Sequence, residues 1–122
     1  MAAGDITYTN PSGRARDGAF ASGTIALDVS EILKIYCGFK PSKIVLYVKD
    51  TGATTIDQII TWVAGMAAGA YWSLLNSTGV VTVGTSGGPT VLEDTTGQGF
   101  KIPAGFPSGG ADSDVVVWEA WR

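Results

Sequence analysis

A chain of 122 residues with 45% hydrophobic residues and 17 glycines has the size of one domain and enough apolar surface to bury a core. Its formal net charge is −3, and its 8 basic residues are scattered among 11 acidic ones. That pattern lacks the basic footprint that phosphates require and argues against direct nucleic-acid binding. No histidine and a single cysteine, Cys37, rule out an internal disulfide and remove the usual ligands of a zinc site. No metal or cofactor is expected.

Residues 1–22 carry little periodicity and several turn formers, including Asn10-Pro11 and Asp17-Gly18. They read as an irregular N-terminal arm or edge segment, followed by a β domain over 23–122. Arg14 and Arg16 in this arm suit pairing with a neighbouring subunit's acids, or a solvated loop. The arm up to Gly18 is expected to be removable without loss of the fold. The opening MAAGDITYTN has no basic segment followed by an apolar one, so no signal peptide is expected and synthesis in a cytoplasm is.

Residues 24–29 alternate, with Ile25, Leu27 and Val29 on one side, as in a half-buried strand. Residues 31–39 fit a helical turn or a strand. KIVLYVK over 43–49 is the clearest strand: Ile44, Leu46 and Val48 share a face, with Val45 and Tyr47 opposite, between Pro41 and the terminator Asp50-Thr51-Gly52. VVTV after Gly79 and FKI after Gly99 read as short strands. VVVWEAWR from Val115 is apolar on both faces, which places it inside a sheet or at an interface. Short strands between glycine-rich turns predict an all-β fold, an antiparallel β-sandwich or jelly roll.

Residues 59–75, IITWVAGMAAGAYWSLL, contain no charged residue and a Gly-x-x-x-Gly at Gly65 and Gly69. Their length sits at the lower limit for a spanning helix, and Gly-x-x-x-Gly suits close helix packing in lipid. No Lys or Arg flanks the run closely, and Ile60 and Trp62 alternate with Thr61. The reading preferred here is strand IITWVA, turn GMAAGA and return YWSLL, with no membrane contact. A buried helix over 65–75 stays open because Met66-Ala67-Ala68 favours helix. From Gln58 to Leu92 the only ionisable side chain is Tyr71. Burial in a subunit interface accounts for that lack of charge. The expected contact residues are Arg14, Arg16, Trp62, Met66, Tyr71, Trp72, Trp118 and Trp121.

Catalytic motifs fare poorly. GTSGG over 84–88 matches G-x-S-x-G, but Pro89 and a β-like run follow, and no histidine exists to activate Ser86. It reads as a glycine-rich turn. Glu93-Asp94 and Asp112-x-Asp114 could supply oxygens to calcium, yet neither fits an EF-hand loop, and both read as turn acids. The four tryptophans lie in apolar contexts that favour core or interface over a sugar-stacking platform.

The segments GFKPSKIVLYV (38–48), TWVAGM (61–66), SGG (86–88), GFKI (99–102) and the final VVVWEAWR, in that order, resemble small virion proteins of tailed bacteriophages. The resemblance covers about the last two thirds of the chain. It implies a β-sandwich capsid decoration (cement) protein, nonenzymatic, on the outer shell. It further implies a homo-oligomer, most plausibly a trimer, bound across the major capsid protein. A tail or fibre component that binds glycans is the alternative.

Overall fold

The computed structural model of the protein describes residues 5–9, 20–107 and 110–122. These form ten strands: β1 (Asp5–Thr9), β2 (Phe20–Ala26), β3 (Ile32–Tyr36), β4 (Lys43–Lys49), β5 (Gln58–Val63), β6 (Tyr71–Leu75), β7 (Val81–Gly84), β8 (Thr90–Glu93), β9 (Gln98–Ile102) and β10 (Val115–Trp121). No helix occurs among the described residues, so none is long and apolar enough to cross a membrane.

The strands build two sheets, one of four in the order β1-β3-β9-β8 and one of six in the order β2-β10-β4-β5-β6-β7. The larger sheet is antiparallel throughout. The smaller is mixed, because β1 runs parallel to β3. The two pack as a sandwich-like single domain, as the short alternating strands predict.

Alternation decides what lies between the sheets. From β4 come Ile44, Leu46 and Val48, from β5 Ile60 and Trp62, and from β10 Val116, Trp118 and Ala120. They meet Leu33 and Ile35 of β3 and Phe100 and Ile102 of β9. β10 lies between β2 and β4; its inner face is buried, while Val115, Val117, Glu119 and Trp121 on the outer face are half-buried. The ambiguous residues 31–39 form strand β3 because Leu33 and Ile35 pair with Ile102 and Phe100 across the sheet. Local propensity gave no such preference, and distant pairing decided it.

Residues 59–75 fold as strand, turn and strand. The helix alternative over 65–75 does not hold, because Gly65 and Gly69 have φ of +107° and +79°, outside helical geometry. Gly-x-x-x-Gly here marks a reversal rather than a packing face. Two strands complete the sheets beyond those that alternation defines: β1, within the segment read as an arm or edge, and β8, the β-like run after Pro89. β1 occupies an edge of the small sheet, with Ile6 packed against the core. β8 pairs with β9 over residues 90–93. β2 runs across the boundary drawn after residue 22. Deleting residues 1–18 would therefore remove β1. Arg14 and Arg16 lie outside the described residues.

Candidate functional site

The six-stranded sheet is two strands wider than its partner, and the excess falls at β6 and β7. The core draws on every strand from β2 to β5 in the larger sheet, whereas β6 contributes only the partly buried Tyr71 and β7 contributes nothing. The β6–β7 hairpin therefore overhangs the sandwich, with β7 forming the sheet edge.

Its outer face is apolar. Trp72 stands opposite Val83, and Leu74 opposite Val81, so the four side chains share one face. Trp72 is 47% exposed, Val81 61% and Val83 66%, and Leu74 is also exposed. Ile59 and Thr61 of β5 continue the face beside Leu74 and Trp72. The surface has no formal charge, because the 58–92 segment contains none. A contiguous exposed apolar patch of this kind marks an interaction surface.

The inner face of the overhang is polar and neutral. Ser73 Oγ donates to Gln58 Oε1 at 3.2 Å, and both side chains are buried. With Tyr71, Leu75, Thr82, Phe106 and Pro107 they line a cavity of about 240 Å³. Tyr71 meets Phe106 edge to face at 4.9 Å. A Cβ at Gly84 would lie 2.2 Å from the Tyr71 ring, and one at Gly88 would lie 2.4 Å from it. Gly88 N–H also donates to Gly69 O at 2.8 Å. GTSGG is thus a loop that makes room for an aromatic ring, and Ser86 is exposed.

The residues expected at an interface separate into groups. Trp62 and Trp118 lie in the core of a single chain and cannot be surface contacts of the folded domain. Met66 is half-buried against that core, and its Sδ accepts the Val63 N–H at 3.3 Å. Tyr71 supports the hairpin from inside. Trp72 belongs to the exposed patch. Trp121 lies on the same outer face but across β5 and β4, against Phe20 at 5.3 Å and beneath Lys43 Nζ at 4.8 Å. The structure joins Trp72 with Leu74, Val81 and Val83, which the sequence reading did not single out. The alternation in YWSLL and VVTV sorts these residues into faces but does not reveal which face lacks a covering sheet.

The acids act as turn locks. Asp112 Oδ1 accepts Val29 N–H at 2.9 Å, and Asp114 Oδ2 accepts Ala111 N–H at 2.9 Å. Asp94 accepts the Tyr36 hydroxyl at 2.7 Å and the backbone N–H groups of Thr96 and Gly97. No group of three or more acidic or sulfur ligands gathers among the described residues. The Tyr36 hydrogen bond is the main cause holding the Asp94 carboxyl below its ordinary pKa, and the same bond raises that of the Tyr36 phenol. The Asp94 contribution to stability is present above the ordinary carboxylate range and is lost as pH falls through the depressed value. The Tyr36 contribution is present below the ordinary phenol range and is lost as pH rises through the raised value. Tyr36→Phe should move the Asp94 titration, followed by carboxyl NMR, upward. An unmoved titration would remove Tyr36 as the cause.

Burial also raises the pKa of the Cys37 thiol. Its side chain is inaccessible, with Sγ 3.4 Å from Phe39 O. A soluble alkylating reagent should leave Cys37 unmodified in the native protein and label it stoichiometrically in denaturant. Rapid native labelling would contradict that burial.

No protein-family model matches the chain, and searches of curated proteins and of solved structures likewise return no match.

Proposed function

We propose that this chain is a structural virion subunit, a capsid decoration protein of the tailed-bacteriophage kind, which works by binding alone. The observation that carries the reading is the charge-free apolar face of the β6–β7 overhang, presented by a small all-β sandwich. A face of that composition is built to be covered. In this reading the chain assembles with its own copies on the outer shell and ties neighbouring copies of the major capsid protein together. The resemblance in the sequence implies self-association, with a trimer as the form usual for such proteins; it does not fix which closed form this chain takes. Repetition over a symmetric shell would raise the avidity of each modest contact. The chain carries no enzymatic role in this proposal, and its place is the virion surface after synthesis in a host cytoplasm.

The test is co-sedimentation of purified protein with phage shells that have unoccupied outer sites. Saturable binding, weakened by Trp72→Ala, is the expected result. Absence of binding to shells by a folded protein would overturn the virion role.

A second reading rests on the cavity between Gln58, Ser73, Thr82 and Tyr71. Neutral hydrogen-bonding groups beside aromatic rings suit a sugar, as in a glycan-binding tail or fibre component. The exposed Trp72 stands on the opposite face of the sheet from this cavity, so the two do not form one platform. Quenching of tryptophan fluorescence by a glycan series would favour this alternative.

A further inference from the structure

The backbone of β7 carries the strongest unassigned feature. Among the described residues no strand pairs with its far side. Leu75 N–H donates to Val80 O at 3.3 Å, and the antiparallel register continues through Leu74↔Val81, Ser73↔Thr82 and Trp72↔Val83. Hydrogen-bonded and non-hydrogen-bonded pairs alternate along such a ladder. Thr82 therefore directs its N–H and C=O toward β6, while Val81 and Val83 direct theirs outward. Two donors and two acceptors line the open edge, disposed evenly about Thr82.

We propose that β7 pairs antiparallel with β7 of a second copy of this chain, centred on Thr82. In that register Val81 stands opposite Val83 of the other copy, and Val83 opposite its Val81. Each outward N–H meets an outward C=O, giving four backbone hydrogen bonds and joining two six-stranded sheets into one. The paired valines lie on one face, so the apolar surface of Trp72, Leu74, Val81 and Val83 continues across the junction.

Charge favours a second copy as the occupant. A two-fold contact sets one patch against a copy of itself, which penalises a patch carrying a net charge of one sign. The whole chain carries −3, but β7 and its neighbour β6 carry none. Both edges of the smaller sheet carry devices that natural edges commonly use, a charge or a proline. β8 follows Pro89 and holds Glu93, and β1 holds Asp5; β2, the far edge of the larger sheet, is uncharged but weakened by Gly23 at its centre. β7 has no proline, lysine or acid.

The contact closes on a two-fold axis and builds a dimer rather than a trimer. It rests on the proposed function only in that the chain associates with itself. A four-residue strand makes a small interface, so the dimer should form and dissociate with concentration.

Sedimentation over a concentration series, comparing wild type with Val83→Pro and with the double variant Val81→Lys, Val83→Lys, tests it. Proline at position 83 removes an outward N–H while leaving the bonds to β6 intact. The lysines stand directly opposite one another across the axis. Circular dichroism checks that each variant is folded, and the lysine pair, at well-exposed positions, serves if the proline variant is not. A wild-type dimer weakened tenfold or more in a folded variant is the expected result. A dimer unaffected by either change, or a trimer, would overturn the β7 pairing and leave self-association standing. A wild-type monomer at every concentration would overturn both, whereas failure to bind shells bears only on the virion role.

Discussion

Trp118→Ala should lower the stability of the domain by about 3–5 kcal/mol, the range for deleting a large buried aromatic. Trp118 is fully buried on the interior strand β10, with its ring edge-to-face against Phe100 at 5.5 Å. It therefore joins the two sheets at their midpoint, and a cavity there has rigid walls on both sides. For a domain whose net stability is on the order of 5–15 kcal/mol, that is a large fraction. Urea unfolding monitored by circular dichroism would show the midpoint falling with little change in slope. Trp118→Phe should lose much less. The indole Nε1 has no hydrogen-bond partner among the described residues, so phenylalanine forfeits volume but no hydrogen bond. Trp62→Ala belongs in the same range, since its side chain is also in the core. An unchanged midpoint in Trp118→Ala would remove the tryptophan from the core.

Gly99→Ala should be the most damaging single methyl in the protein. A Cβ on Gly99 would lie 1.9 Å from the carbonyl oxygen of Ile35 and 2.9 Å from the Tyr36 Cα. These are backbone atoms of β3, which cannot turn aside as a side-chain tip can. Either β9 separates from β3 or the pair distorts, and both expose the inner residues Phe100 and Ile102. Overpacking of this kind costs about 1–3 kcal/mol and sometimes more, and a backbone collision puts Gly99 at the upper end. Gly52→Ala supplies the contrast. Gly52 has open space around it and a φ of +78°, so alanine there meets only conformational strain, on the order of 1 kcal/mol. Thermal unfolding of the two variants should separate them clearly. Equal losses would show that β3 gives way at Gly99.

The sequence was most informative where pattern alone settles structure. The alternation of residues 43–49 gave β4 with its correct buried face, and the hairpin of 59–75 followed from Gly65, Gly69 and the Ile60-Thr61-Trp62 pattern. Less was legible where long-range pairing decides. Ile6 and Thr7 lie among β-branched and aromatic neighbours that do suggest a strand. Their pairing partner, however, is β3, and the turn formers that follow hide the connection. Residues 90–93 are too short to announce themselves and become β8 through β9. The lack of charge between Gln58 and Leu92 did point to an uncovered surface. It could not separate Trp62, turned toward the opposite sheet, from Trp72, turned away from it, because that depends on which face of each strand the second sheet covers. Nor does any local signal show that Gly84 and Gly88 accommodate Tyr71.

The place of β10 between β2 and β4 sets the order in which this protein can come into being. Trp121 pairs with Phe20 on one side and Lys43 on the other, so the tenth of these strands to be made is the neighbour that the second awaits. While the ribosome works through the intervening residues, β2 has no partner in its own sheet, and the flank of β4 that β10 will occupy stands open. The β4–β5–β6–β7 meander can form locally as it emerges, with its apolar inner face waiting for a centre. Completion falls to a single late step, the insertion of β10 with Trp118 into a gap held between earlier strands. Closing such distant pairs is slow compared with local hairpins. A nascent chain halted before residue 115 is thus left with two unsatisfied strand edges and half a core, and it is at this stage that a chaperone would have the most to protect.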